Sequence, residues 1–176
     1  KGKNRYIFED KLVSRINTAL KRTSGAFTVS KSAGRIYAVA SEPFDQEEAV
    51  AELQTVFGIS GICPMVQLPL MTPDELLQDA AAYFRKAHPG FAGSFKVMAT
   101  RANKSYPLDS QEINYKVGEA ILKACPDVHV DVHEPDILLR IEVREKVNFY
   151  SETIPGPGGM PIGSSGKAML LLSGGI

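Results

Sequence analysis

Two hydrophobic periods alternate along the chain, and their order constrains the fold more than any other feature. Phe8, Leu12, Ile16 and Leu20 recur every fourth residue, with Val13 and Ala19 beside them. That spacing predicts a helix over residues 6–21 with one apolar stripe. Ser24-Gly25 breaks it. Residues 26–30 and 35–40 read as two strands joined by a tight turn at 32–34. Ala49, Leu53, Val56 and Phe57 return to helical spacing, with Gly58 as the stop. Residues 59–68 supply another strand.

This order is α-β-β-α-β, a ferredoxin-like β-α-β-β-α-β unit without its first strand. A second unit begins near Leu70. Thr72-Pro73-Asp74 is a helix start, with threonine as N-cap and proline at the first helical position. Leu76, Leu77, Ala80 and Phe84 give that helix its apolar face, and His88-Pro89-Gly90 ends it. Residues 95–100 form a strand, and Ser110 caps a helix with Ile113, Val117, Ile121 and Leu122 inward. Residues 128–132, 137–144 and 147–154 are strands, and the 137–144 run alternates as a half-buried strand does. Pro155-Gly156-Pro157-Gly158-Gly159-Met160-Pro161 reads as a linker or exposed loop. The expected class is α+β: a ferredoxin-like domain over 1–68, an α/β domain over 69–165, and the start of a third over 166–176.

Charge is segregated. Residues 1–40 carry nine Lys/Arg against two Asp/Glu, whereas residues 41–80 carry eight acids and no base. Residues 81–110 are basic again, with five bases and one acid. Blocks of one sign suit either a polyanion partner or ordinary solvated surface. Cys63 and Cys125 stand apart among apolar neighbours and read as buried thiols without metal-ligand spacing. His88, His129 and His133 are scattered, and no metal site is read from them. Two cysteines and the absence of any long apolar run point to a cytoplasmic chain without a membrane segment.

Three stretches together resemble a known family. They are Lys1-Gly2-Lys3-Asn4-Arg5; Phe95-Lys96-Val97 with Arg101-Ala102-Asn103-Lys104-Ser105-Tyr106-Pro107-Leu108, Ser110 through Asn114 and Val117-Gly118; and Ile154-Pro155-Gly156-Pro157-Gly158-Gly159-Met160-Pro161 with Leu170-Leu171-Leu172-Ser173-Gly174-Gly175-Ile176. In this order and spacing they resemble the tRNA 4-thiouridine sulfurtransferases, a family also linked to thiamine biosynthesis. The resemblance implies a ferredoxin-like domain, then a THUMP domain, then a PP-loop ATPase domain. It implies that this chain is truncated, lacking the first strand and the body of the catalytic domain.

The resemblance assigns ATP binding, in the complete enzyme, to Leu171, Leu172, Ser173, Gly174 and Gly175, where a glycine-rich turn lets backbone N–H groups approach a phosphate. ATP with Mg is implied for that enzyme and no cofactor for this fragment, which is expected to be inactive alone. A cysteine desulfurase as sulfur donor and a homodimer are implied partners; neither Cys63 nor Cys125 matches the family's sulfur-carrying cysteines.

RNA binding is the function expected of the fragment itself. Structured RNA is read through phosphates, 2′-hydroxyls and shape. Arg101, Asn103, Lys104, Ser105 and Tyr106 supply cations, polar groups and an aromatic on one strand-to-helix loop. Lys116 on the following helix is a second-tier candidate. Ser110 with Ile113-Asn114 opens that helix, whose N-terminus is either a phosphate site or a plain cap. Lys3, Asn4 and Arg5 form a further basic cluster that the resemblance places near the RNA. The alternative is a protein-interaction or dimerisation module, using the acidic block 42–52.

Overall fold

The computed structural model describes residues 5–32, 34–164 and 166, and its chain divides into two compact units. The first unit comprises residues 1–62 together with 154–176, and the second comprises 63–153.

In the first unit, helix α1 (Arg5–Leu20) buries Ile16, Ala19 and Leu20, the last turns of the stripe seen in the sequence. Strands β1 (Phe27–Ser32) and β2 (Arg35–Ala40) pair in antiparallel register from Phe27↔Ala40 to Ser32↔Arg35. Gly34 sits at φ 80°, a left-handed conformation that a two-residue hairpin turn demands. Helix α2 (Gln46–Leu53) starts at Asp45, whose carboxylate accepts the Glu47 and Glu48 N–H groups. Ala49, Val56 and Ile59 complete the core with α1. Among the described residues, β1 and β2 form a two-stranded sheet and no strand lies between them and the rest of the unit.

The expected strand over 59–68 is in fact two strands. β3 (Gly61–Ile62) pairs with β9 (Ile154–Pro155) in the first unit, whereas β4 (Val66–Pro69) joins the sheet of the second. The Gly/Pro segment is likewise no loose linker. Gly156 N–H donates to Ser60 O, and Gly158 N–H to Ile59 O at 2.8 Å, while Gly158 O accepts from Gly58 N–H at 2.7 Å. A Cβ on Gly156 would stand 2.3 Å from Ile59 O, so this close approach admits only glycine.

The second unit is a five-stranded sheet in the order β4-β8-β7-β5-β6, built from β4, β5 (Gly93–Arg101), β6 (Val128–Val130), β7 (Ile137–Val143) and β8 (Lys146–Tyr150). β5 runs parallel to both β6 and β7, and β8 turns back antiparallel to β7 and β4. Helices α3 (Pro73–Ala87) and α4 (Ser110–Ala124) cover one sheet face. Leu76, Ala80 and Phe84 of α3 and Ile113, Val117 and Ile121 of α4 meet Phe95, Val97, Leu139, Ile141 and Phe149 there. The alternation of β7 sends Arg140 and Glu142 to the opposite face. There Tyr150 donates its hydroxyl hydrogen to Glu142 Oε1 at 2.9 Å, and Arg144 Nε donates to Glu142 Oε2 at 3.3 Å. A carboxylate that is only 4% exposed is tolerated because both oxygens are paired.

Helix α3 begins as read from sequence: Thr72 Oγ1 accepts the Glu75 N–H, and Glu75 accepts the Thr72 N–H in return. Those bonds from Thr72 hold the Glu75 carboxyl below its usual range. Helix α4 differs. Its N-cap is Asp109, not Ser110.

Candidate nucleic-acid interface

The loop between β5 and α4 is built on an unpaired stretch of strand edge. β6 pairs only with residues 93–95 of β5, so among the described residues the rest of that edge has no strand neighbour. Side chains of α4 replace it. Arg101 N–H donates to Ser110 Oγ at 3.0 Å, and Ala99 N–H donates to Asn114 Oδ1 at 2.6 Å. One helical turn of four residues advances about 6 Å. Two strand residues advance about 6.6 Å. The Ser-x-x-x-Asn spacing thus matches alternate N–H groups of a strand, and this explains why Ser110 and Asn114 stand four apart.

The loop is braced at its other end too. Ala102 and Asn103 N–H groups both donate to Val143 O, at 2.9 and 3.1 Å. Asn103 Oδ1 accepts the Ser105 N–H at 3.0 Å, an Asx turn that reverses the chain. Asn103 Nδ2 donates to Arg144 O, and Arg101 Nη1 donates to the carbonyls of Lys104 and Tyr106, each at 3.4 Å. Tyr106 and Leu108 anchor the far side in the core, at 5% and 7% exposure.

These contacts sort the expected RNA-binding residues into two groups. Arg101 and Asn103 are half-buried and shape the loop. Lys104 and Ser105 are exposed at its tip, and Lys116 is exposed on α4. Tyr106 belongs to neither group. Expected among the RNA contacts, it is instead interior, and its ring offers no free face for a base. Its hydroxyl has no hydrogen-bond partner among the described residues. Burial first, and the charge of Glu75 second, push that phenol above its ordinary pKa. The exposed aromatic in this region is Tyr115, three-quarters exposed beside Lys116; a helical surface tyrosine gave no distinguishing pattern in the sequence.

The α4 N-terminus is not an open anion site. The Asp109 carboxylate accepts the Gln111 and Glu112 N–H groups at 2.8 and 2.9 Å, and Glu112 accepts the Asp109 N–H. Two carboxylates occupy the positions a phosphate would need. In the first unit, Arg5 is exposed and paired with Glu9 at 2.6 Å. Lys3, Asn4 and the expected ATP-binding residues Leu171, Leu172, Ser173, Gly174 and Gly175 lie outside the described residues. Among the described residues no three His, Cys, Asp or Glu side chains converge as a metal site requires, and no helix is long and apolar enough to cross a membrane.

The acidic block is largely consumed locally. Asp45 caps α2, Glu48 accepts the Ser24 N–H and hydroxyl at 2.9 and 2.8 Å, and Glu52 faces Arg22 at 3.5 Å.

Comparison with known proteins matches both units. The family model of the ThiI ferredoxin-like domain matches residues 1–63, and that of the THUMP domain matches residues 72–150. The "Probable tRNA sulfurtransferase" of Agathobacter rectalis is 49% identical over 176 residues, all of this chain and 45% of its own length. This chain therefore spans about half the length of the curated relatives it matches. A crystal structure of a 4-thiouridine synthetase–RNA complex with bound ATP is 33% identical with a TM-score of 0.83, over 99% of this chain and 44% of that one. A Pyrococcus horikoshii protein of known structure is 35% identical with a TM-score of 0.77, over 90% of this chain and 52% of its own. By these matches the chain belongs to the tRNA sulfurtransferase family, of which it carries the ThiI ferredoxin-like and THUMP domains.

Proposed function

We propose that this chain binds tRNA, and that the β5–α4 loop of its THUMP domain is a principal point of grip. The observation that carries the reading is the division of labour within that loop. Arg101, Asn103, Ser110 and Asn114 spend their polar groups on the loop's own backbone, which leaves Lys104 and Ser105 presented on a fixed tip with Lys116 nearby in sequence on α4. A rigid tip bearing a cation and a hydroxyl suits phosphate and 2′-hydroxyl recognition at low ordering cost. The solved 4-thiouridine synthetase neighbour is a complex with RNA, which supports RNA binding by this chain.

Within a longer protein, the region serves an ATP- and magnesium-dependent thiolation that makes 4-thiouridine in cytoplasmic tRNA. A cysteine desulfurase supplies the sulfur, and two copies of the protein pair. Filter binding of a tRNA transcript at 50 and 200 mM salt tests the grip. Phosphate-dominated binding weakens by orders of magnitude across that interval. Binding that is undetectable at 50 mM overturns the reading.

A further inference from the structure

The ferredoxin-like unit carries a second cationic feature that the loop does not use. Lys11, Arg15, Thr18 and Arg22 are spaced at i, i+4, i+7 and i+11 from Lys11, so they share one face of α1 and its immediate C-terminal extension. All four are exposed, and Lys11 and Arg15 have no acidic partner among the described ion pairs. Arg22 meets Glu52 at 3.5 Å, with the arginine side chain 64% exposed, a pair too loose and too wet to hold it.

Arg15, Thr18 and Arg22 form one wall of a cleft of about 170 Å³. Thr55, Val56, Phe57 and Ile162 form the other. Phe57 is 50% exposed and Ile162 55% exposed, so apolar surface stands open beside the two arginines. Thr18 donates its hydroxyl hydrogen to Ser14 O and Thr55 donates its own to Glu52 O. Both threonine oxygens thus remain as acceptors in the cleft. Cations on one wall, an open aromatic face on the other and neutral acceptors between them match the parts of a single nucleotide.

We propose that this cleft seats an unpaired nucleotide of RNA, with its phosphates on Arg15 and Arg22 and its base on Phe57. Arg15 and Arg22 are about 10 Å apart along the helix, so they engage successive backbone positions rather than one phosphate together. Thr18 and Thr55 accept from a base N–H or a 2′-hydroxyl. Lys11, whose ammonium lies 3.8 Å from where a Cβ on Gly163 would stand, extends the cationic stripe one turn further. A paired duplex could satisfy the arginines but offers no free base to Phe57. The inference rests on the RNA-binding reading, and adds a second, single-stranded subsite on the other unit.

The test is fluorescence anisotropy of the whole chain with a labelled single-stranded oligouridylate and, separately, with a tRNA transcript. The double variant Arg15→Ala, Arg22→Ala should weaken oligouridylate binding at least about tenfold at low salt and lower the salt slope by about 1.4, the single-strand value for two phosphate contacts. Arg15→Lys, Arg22→Lys should keep most of that slope, which a merely structural loss would not allow. Phe57→Leu should cost at least about fivefold with the slope unchanged, as loss of one stacked base does. Equal unfolding temperatures check that the variants fold. Oligouridylate binding that is indifferent to all three changes overturns the inference. If tRNA binding still depends on Lys104 and Lys116 in that case, the loop reading survives alone. If the unaltered chain binds neither RNA, both fall.

Discussion

Asn114 Oδ1 accepts the backbone N–H of Ala99 at 2.6 Å, so a helix side chain takes the place of a missing neighbouring strand. Asn114→Ala leaves a part-buried N–H without a partner. The expected cost is about 1–2 kcal/mol of unfolding free energy in the THUMP unit. RNA affinity should fall several-fold as the loop loosens. Asn114→Asp keeps an acceptor and should restore most of both quantities. Urea unfolding and an RNA titration on the same three proteins check this.

Tyr106 sits at the other end of the same loop with its hydroxyl buried and without a partner among the described residues. Tyr106→Phe removes an unsatisfied polar atom at almost constant shape. Stability should be unchanged or rise by about 1 kcal/mol, and tRNA affinity should stay within twofold. A stacking role for this ring predicts the same tolerance of phenylalanine, so Tyr106→Leu is the discriminating variant. It should lower the unfolding temperature and leave tRNA affinity within about twofold, whereas loss of a stacking ring would weaken binding at least about fivefold.

His88 gives the THUMP unit a pH dependence near neutrality. Its Nε2 lies 2.8 Å from Ser151 Oγ, and its ring packs against Phe84 with centroids 5.3 Å apart. Burial holds the imidazole below its ordinary value of 6.5, with the charge of Glu152 pulling the other way. The unfolded chain therefore protonates first as pH drops. The contribution is complete above about pH 6.5 and is lost as pH falls toward the lower folded-state value. Thermal unfolding followed from pH 7.5 to 5.5 should show a falling midpoint, and His88→Gln should flatten that slope. Asp136 and Glu75, whose carboxyls are held low by bonds from Ser94 and Thr72, act only in the more acidic range.

Gly156→Ala should disrupt the ferredoxin-like unit. The new methyl would collide with Ile59 O, forcing the β3–β9 pairing apart. A loss of about 2 kcal/mol is expected. Gly90→Ala is a control without steric conflict, since nothing lies within 4 Å, although its φ of 69° adds local strain. Hydrogen exchange at Gly58 and Gly158 would report the difference between the two variants.

The helices and the central strands were legible because each has one buried face, and burial writes its period into the sequence. Leu76, Ala80 and Phe84, or Ile137, Leu139 and Ile141, could hardly read otherwise. What escaped the sequence depended on chain partners far away. The 59–68 run looked like one strand, yet its halves pair with Ile154–Pro155 and with Lys146–Tyr150, which no local pattern encodes. Asp109 rather than Ser110 caps α4 because Ser110 is drawn to the Arg101 N–H. The polar loop residues were recognisable as a group, but their division into bracing and presented side chains required the positions of Val143 and Arg144. Tyr106 looked exposed because its neighbours are polar; only the core beneath it shows that it points inward.

The most direct measurement of the central claim is the salt dependence of tRNA binding by the double variant Lys104→Ala, Lys116→Ala. Neither side chain has a hydrogen-bond partner among the described contacts, so stability should be unchanged. The slope of log affinity against log salt should fall by about two relative to the unaltered chain, with affinity at 50 mM salt reduced at least about tenfold. An unchanged slope and affinity would show that the β5–α4 loop and α4 do not hold the RNA.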